Sequence, residues 1–297
     1  MLHYLVLAHN NLDQLEILIK KLKTKNSEIY VHLDKKIKEF NKIKWVHYIK
    51  NRQSIHRWGT SMIKAEIIWF SEIFQNMKKW DHIVLISWQC YPIKDIKYIE
   101  KYIEDLGNRS CMSYRPIEKK YLCRIEKYHF NDRNFHVSPI INKIIIRIVS
   151  KFMTLWEPQR VPAINLALWT IVSFIMPRRK YLIKNYKIYI WDQWMVLSYE
   201  HIRWTLEFLK SKEWKKILSC FEYTSCCDEN FFQLILLNNE NIKKEINNEL
   251  LRYIVRWKNA NSPKVLTIQD LESIKKSDKL FARKFDINID KIIFNKI

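Results

Sequence analysis

The feature of this sequence that most constrains its fold is the alternation of short apolar runs with segments of helical periodicity. HYLVLAH is an apolar run bounded by polar residues, and apolar side chains recur at helical spacing in the NNLDQLEILIKKLK that follows. EIYVHLDKK is a second apolar run, and a helical pattern in SMIKAEIIWFSEIFQNM precedes a third, DHIVLIS. Strands that alternate with helices predict an α/β fold with an open, mostly parallel central sheet flanked by helices.

The rest of the chain continues this pattern less regularly. Residues from about 111 to 180 are irregular and basic, after which WMVLS predicts a strand and the segment behind it a helix. VLTI predicts another strand, and Asp270 is expected to cap the helix that follows it. Because no linker-like segment divides the chain, residues 1–297 are predicted to form a single domain.

Three predicted strand ends carry polar or reactive side chains. Ala8-His9, Leu33-Asp34 and the SWQC that ends in Cys90 follow the apolar runs directly. In open sheets of this kind, ligands bind beyond the carboxyl ends of the strands. The three loops are therefore the first candidate site.

The chemistry of that site is limited by charge and by glycine content. Lys and Arg total 52 and Asp and Glu total 31, a net charge of +21 that predicts anionic partners. Nucleic acid is disfavoured, because the basic residues are scattered and no recognition motif is present. With only Gly59 and Gly107, the chain has no glycine-rich phosphate loop, and no Cys pair suggests zinc. A phosphate would have to be bound by basic side chains, and Arg283-Lys284 is a candidate pair, with solvated surface residues as the plainer interpretation.

Two carboxylates precede a predicted amphipathic helix in CCDENFFQLILL. Acidic residues in the first turn of a helix are stabilised by the helix dipole, and this is the more common role of residues placed like Asp228 and Glu229. The alternative is a general base, if one of them faces a pocket lined by Phe231, Trp194 or Trp257 and is partly desolvated there.

Two apolar segments raise the question of a membrane. Residues 161–177 are too short for a comfortable span, and residues 141–156 predict an amphipathic helix with a basic stripe. Core-facing helices and peripheral docking on a membrane surface both remain open. The N-terminus has no signal-peptide pattern, so we expect a cytoplasmic protein, with contact to the inner face of the membrane as an addition.

Nine sequence blocks now carry a resemblance to a known family. They occur in the order typical of family 14 glycosyltransferases and span about residues 2 to 293, with about 115 to 180 matched least. The blocks are LVLAH, IYVHLDKK, HRWGTSMIKAE, DHIVLISWQCYPIKD, QWMVLSYEHI, CDENFFQLILLNN, LRYIVRW, SPKVLTIQDL and SDKLFARKFD. The chain resembles a bacterial-type member of this group, which contains the core-2/I-branching β-1,6-N-acetylglucosaminyltransferases and the peptide O-xylosyltransferases.

The resemblance implies a GT-A-type nucleotide-sugar fold and an inverting transferase. It also implies a UDP-sugar donor held without an obligatory metal or other cofactor, and a hydroxyl acceptor on a glycan or lipid-linked oligosaccharide, as in polysaccharide biosynthesis. Glu229 takes the place of the catalytic base, and Lys284, with Arg283 beside it, that of the diphosphate-binding residues. The remaining expected contacts are to the donor nucleoside from His9, Asp34 and Cys90, and to the substrates from Asp192, Trp194 and Trp257.

The departures from the family pattern bear on activity. Trp88 and Trp191 stand where the family has glycine, and Cys90 stands where it has aspartate. The indoles are expected to crowd the donor site, with packing in the core as the alternative. Gln193 replaces an aspartate of the xylosyltransferases, which favours transfer of N-acetylglucosamine. A xylosyltransferase-type activity and a catalytically impaired nucleotide- or glycan-binding relative are the alternatives.

Overall fold

The computed structural model describes residues 1–56, 59–129, 176–256 and 262–297. Its strands are β1 (Leu2–Ala8), β2 (Ser27–Leu33), β3 (His47–Tyr48), β4 (His82–Ser87), β5 (Cys90–Pro92), β6 (Ser110–Met112), β7 (Arg115–Pro116), β8 (Tyr189–Ile190), β9 (Met195–Ser198), β10 (Ile246–Asn247), β11 (Arg252–Ile254) and β12 (Phe281–Arg283). Its α-helices are α1 (Leu12–Leu22), α2 (Thr60–Phe74), α3 (Ile96–Glu104), α4 (Cys123–Glu126), α5 (Tyr181–Asn185), α6 (Tyr199–Phe208), α7 (Lys212–Phe221), α8 (Phe231–Leu237), α9 (Glu240–Lys244) and α10 (Leu271–Lys276).

The central sheet has seven strands in the order β10-β6-β9-β4-β1-β2-β3. β4, β1, β2 and β3 run parallel, and so do β10 and β6, whereas β9 is antiparallel to both of its neighbours. The predicted α/β fold with a mostly parallel sheet is confirmed. That residues 1–297 form one domain stays a prediction.

Both faces of this sheet are covered, which explains why its middle strands read as continuous apolar runs. Along β1, Tyr4 and Val6 belong to the hydrophobic cluster on one face, and Leu5 belongs to the cluster on the other. The same alternation along β4 sends Val84 to the first cluster and Leu85 to the second. The central strands are therefore rigid supports for the loops at their carboxyl ends.

Two smaller sheets bring distant segments to those loops. In one, β12 pairs with β11 and with β5, and Arg283 lies opposite Cys90. In the other, β7 pairs with β8, and Arg115 lies opposite Ile190. Each pairing places an arginine beside residues that are far from it in the sequence.

Some local predictions were wrong. VLTI forms no strand, because Leu266 makes an isolated hydrogen bond to the Lys284 carbonyl and Thr267 then starts a 3-10 turn. Asp270 does precede α10, but its carboxylate accepts a hydrogen bond from the Thr267 N–H instead of capping that helix. α8 is not amphipathic, since all of its residues are buried.

The membrane-related predictions fall largely outside the described residues. Residues 141–156 and 161–175 lie there, as does Trp257. Within the described ranges, no helix combines the length and apolar character that a bilayer crossing requires.

Candidate functional site

The carboxyl ends of β1, β2 and β4 meet, as the sequence predicted. The Asp34 N–H donates to the Ala8 carbonyl at 2.8 Å, and the Trp88 N–H donates to the Leu7 carbonyl at 3.0 Å. The rings of His9 and Trp88 meet edge to face, with 5.8 Å between their centroids. His9 is exposed and Asp34 is buried, so the two predicted nucleoside contacts form one corner of the site.

Arg283 and Lys284 lie at the same corner. The Arg283 guanidinium donates to the Ser87 hydroxyl, and its Nη1 is 4.0 Å from the Cys90 sulfur. Although His9 is exposed at the surface, partial desolvation by the surrounding protein lowers its pKa; the Asp34 carboxylate opposes this shift, and the positive charges of Arg283 and Lys284 add to it. The structure thus places His9, Asp34, Cys90, Arg283 and Lys284 near one another, and their contact with a donor stays a prediction.

Arg252 is a further cation of this site that sequence reasoning missed. It is buried in β11, and its guanidinium donates to the Leu85 carbonyl. The Trp194 ring contacts both arginines, and its centroid is 5.3 Å from the Arg252 guanidinium and 4.7 Å from that of Arg283. The available signal was an arginine inside the apolar run LRYIV, where a buried cation needs a reason to be present.

Cys90, which was expected to stand in place of an aspartate, lies near both arginines. The thiol is completely buried, which by itself raises its pKa. The charges of Arg283 and Arg252 outweigh this effect and bring the pKa below the ordinary thiol value. Cys90 therefore lies in a positively charged environment formed by the two arginines.

Glu229 ends a short 3-10 helix, Cys227–Glu229, just before α8. Its Oε2 accepts a hydrogen bond of 2.9 Å from Nη1 of Arg124. Although 37% of the side chain is accessible to solvent, the surrounding protein raises its pKa to about 7. Burial is the main cause and the Asp228 charge the second, and Arg124 opposes both. A carboxylate with this pKa is suited to accept a proton near neutral pH.

The loop of residues 191–194 connects Glu229 with the arginine corner. The Trp191 N–H donates to the Glu229 carbonyl at 3.0 Å, and Trp194 at the other end of the loop packs against Arg252 and Arg283. Between them, Asp192 Oδ1 accepts a hydrogen bond of 3.0 Å from Arg256. Burial raises the pKa of Asp192, while Arg256, Arg252 and Arg283 oppose the shift.

Glu66 on α2 binds the same loop through Gln193, and no sequence pattern had pointed to this residue. Gln193 Nε2 donates to Glu66 Oε1 at 2.9 Å. Glu66 is fully buried, and burial together with the Asp228 charge raises its pKa well above the ordinary value. The Glu66 carboxyl thus holds the Gln193 amide in a buried environment that disfavours its ionised form.

The two tryptophans at family glycine positions have different environments. Trp88 is 4% exposed and belongs to the hydrophobic cluster on one face of the sheet. Trp191 is 38% exposed, and its ring faces the Arg115 guanidinium. Among the residues that the structure describes, no three His, Cys, Asp or Glu side chains are grouped to hold a metal ion.

The chain can be compared with known proteins over its whole length. No curated protein matches this sequence significantly. Among solved structures, the crystal structure of mouse xyloside xylosyltransferase 1 in its apo form is loosely similar, with 7% identity, a TM-score of 0.37, and coverage of 95% of this chain and 96% of that chain. The family model of the Core-2/I-Branching enzymes matches residues 2–277. The chain therefore belongs to the Core-2/I-Branching enzyme family and is a glycosyltransferase.

Proposed function

We propose that this protein transfers a sugar, preferentially N-acetylglucosamine, from a UDP donor to a hydroxyl of a glycan or lipid-linked oligosaccharide, with inversion. One observation carries the proposal. A carboxylate with a pKa of about 7, Glu229, is joined through the loop of residues 191–194 to a corner that contains Arg252 and Arg283.

In the proposed reaction, the acceptor oxygen attacks the anomeric carbon from the face opposite UDP. The new carbon–oxygen bond forms as the bond between that carbon and the diphosphate oxygen breaks, and the electron pair leaves with UDP. Glu229 accepts the acceptor's proton. The charge that develops on the diphosphate is stabilised by Arg283, Lys284 and Arg252, whose cationic groups lie at the donor corner.

We propose that these cations take the place of a metal ion. Guanidinium groups donate paired hydrogen bonds to phosphate oxygens and carry a fixed charge. Two guanidiniums packed against one indole are held in place, since each contacts the Trp194 ring. No cofactor takes part in the proposed step.

The choice of N-acetylglucosamine as the donor sugar rests on the residue at position 193. Gln193 has a defined partner in Glu66, so this amide is part of the site's framework. A catalytically impaired binding protein is the second candidate, because Cys90 replaces the family aspartate beside Arg283. Xylosyl transfer from UDP-xylose is the remaining alternative, and the same experiment tests it.

The test is a UDP-release screen with UDP-N-acetylglucosamine, UDP-xylose, UDP-glucose and UDP-galactose, with and without chelator. We expect the highest rate with UDP-N-acetylglucosamine, and no loss of rate with chelator. Glu229→Gln is expected to lower the rate at least ~100-fold while UDP affinity measured by calorimetry stays the same. Glu240→Gln, an exposed substitution on α9, is the matched control.

Three outcomes would overturn parts of the proposal. UDP binding without turnover on any donor would favour the impaired relative. An absolute manganese requirement would disprove the role of the cations. Full activity of Glu229→Gln would assign the base to another carboxylate, with Asp228 and Asp192 the next candidates.

A further inference from the structure

Beside Glu229 lies a surface of aromatic rings and guanidinium groups, here called the Trp191 surface, made by Arg115, Tyr121, Arg124 and Trp191. We propose that it binds the acceptor and selects one that carries an anionic group, a carboxylate or a phosphate, next to the reacting sugar. This inference rests on the proposed function, since it gives the acceptor class for the same site.

Strand pairing builds the first part of this surface. Arg115 in β7 lies opposite Ile190 in β8, the residue before Trp191. Its guanidinium is consequently 4.1 Å from the centroid of the Trp191 ring. The indole is 38% exposed, so it is held by Arg115 but stays accessible from solvent.

The second part leads to the catalytic carboxylate. Arg115 is also 5.8 Å from the Tyr121 ring, and the Arg124 guanidinium is 4.9 Å from the same ring. Arg124 in turn donates to Glu229 Oε2 at 2.9 Å. The Trp191 N–H meets the Glu229 carbonyl from the other side. A ligand bound on the Trp191 surface therefore reaches the Glu229 carboxylate, where the acceptor hydroxyl must lie to lose its proton.

The charge of this surface favours an anion. Arg115 and Lys120 share one carboxylate, Glu118, at 2.9 Å and 2.8 Å respectively. The Arg115–Glu118 pair is solvent-exposed, with 39% and 42% of the side chains accessible, so a ligand anion can compete with Glu118 for the guanidinium. Arginine stacked on a ring still presents its N–H edge, which binds carboxylate or phosphate oxygens.

The aromatic part favours a sugar as the bearer of this anion. An exposed indole offers a flat apolar face against the C–H face of a sugar ring, and it sits on a hydrogen-bonded loop. Without the indole at position 191, Arg115 would lose the ring against which it packs. The apolar face and the guanidinium are therefore held side by side on one surface.

Calorimetry on the full chain with saturating UDP tests the proposal with three oligosaccharides of the same backbone. One ends in a uronic acid, one in a sugar phosphate and one in a neutral hexose. We expect the acidic ones to bind about fivefold more tightly than the neutral one, which is the upper range for an exposed charge pair. Whichever acid binds more tightly identifies the anionic group.

Variants assign the effect to the Trp191 surface. Arg115→Gln is expected to remove the preference for the acidic ligands, and Trp191→Ala to weaken all three. The controls are Arg203→Gln, which removes another exposed pair of arginine and glutamate three residues apart, and Trp80→Ala, which removes an exposed indole before β4. Both controls should bind like the wild type.

The result separates this proposal from the proposed function. Equal affinity of the wild type for acidic and neutral ligands would overturn the acceptor class, whatever the UDP-release screen gives. A preference that persists in Arg115→Gln and Trp191→Ala would overturn the assignment to this surface. If no UDP is released but the preference for acidic ligands persists and depends on Arg115, the proposed transfer reaction is wrong and the proposed binding site stands.

Discussion

The Arg124 guanidinium and the Glu229 carboxylate form a hydrogen-bonded ion pair of 2.9 Å at the edge of the site. This ion pair lowers the pKa of Glu229, whereas burial and the neighbouring Asp228 raise it. The balance puts this pKa at about 7. Glu229 is thus ionised and able to act as a base only when the pH approaches or exceeds that value.

We expect Arg124→Gln to move the acid limb of the kcat/KM profile to higher pH. Without the guanidinium, the ionised form of Glu229 loses a favourable partner, so its pKa rises and a higher pH is needed for the active form. The measurement is UDP release as a function of pH, with the acceptor below its KM. A limb that does not move would show that Glu229 is not the group whose ionisation controls the rate.

Asp228→Asn should shift the acid limb in the opposite direction in the same measurement. Removing the neighbouring negative charge lowers the pKa of Glu229, so the acid limb should move to lower pH. Asp278→Asn, at an exposed carboxylate, should leave it in place. Shifts of both variants in the same direction would argue for a general loss of structure.

The two arginines at the donor corner should contribute separately to UDP affinity. We expect Arg252→Met and Arg283→Ala each to weaken UDP binding by about 10- to 100-fold, as for the loss of a hydrogen bond between charged groups. Calorimetry with UDP, with and without chelator, measures this effect. Arg203→Met is the control, since Arg203 lies on α6 and pairs with Glu200. Unchanged affinity in both variants would place the diphosphate elsewhere.

The meeting of His9, Asp34 and Cys90 was predictable from the sequence, whereas most partners of Glu229, the proposed base, were not. His9, Asp34 and Cys90 follow apolar runs, and parallel strands bring their carboxyl ends to one edge. Arg124 precedes Glu229 by 105 residues and lies in the least regular part of the sequence. Its position depends on tertiary packing, which no local pattern encodes.

Buried polar residues were the second group that escaped prediction. Glu66 stands in an otherwise ordinary amphipathic pattern, and Arg252 in a short apolar run. Periodicity identifies the buried face of an element, but it does not tell which polar residue on that face has a partner. The complete burial of α8 was missed for a related reason, because the polar Gln233 within its apolar residues is itself buried.

Glu66 should make stability depend on pH. Its pKa in the folded protein is raised well above the ordinary value of 4.5, chiefly by burial. Between these two pKa values the unfolded chain has lost a proton that the folded protein keeps, so the free energy of unfolding falls by up to about 1.4 kcal/mol per pH unit. Glu66→Gln keeps an acceptor for Gln193 and cannot ionise.

We therefore expect Glu66→Gln to become more stable than the wild type as the pH rises from 5 to 8. Denaturant unfolding at several pH values gives the difference, with Glu240→Gln as the exposed control. A constant difference across this range would show that Glu66 is ionised in the folded protein.

The last prediction concerns Trp88 and Cys90. Trp88 is 4% exposed within a hydrophobic cluster, so Trp88→Gly should leave a cavity and cost roughly 3–5 kcal/mol of stability. Cys90→Asp should be tolerated, because the new carboxylate would lie beside the Arg283 and Arg252 guanidiniums, which already lower the pKa of the thiol. Thermal melting and UDP calorimetry on both single variants and on the double variant separate the effects. A stable Trp88→Gly with tighter UDP binding would show instead that this indole crowds the donor, and a Cys90→Asp that fails to fold would show that the two arginines do not compensate a buried carboxylate.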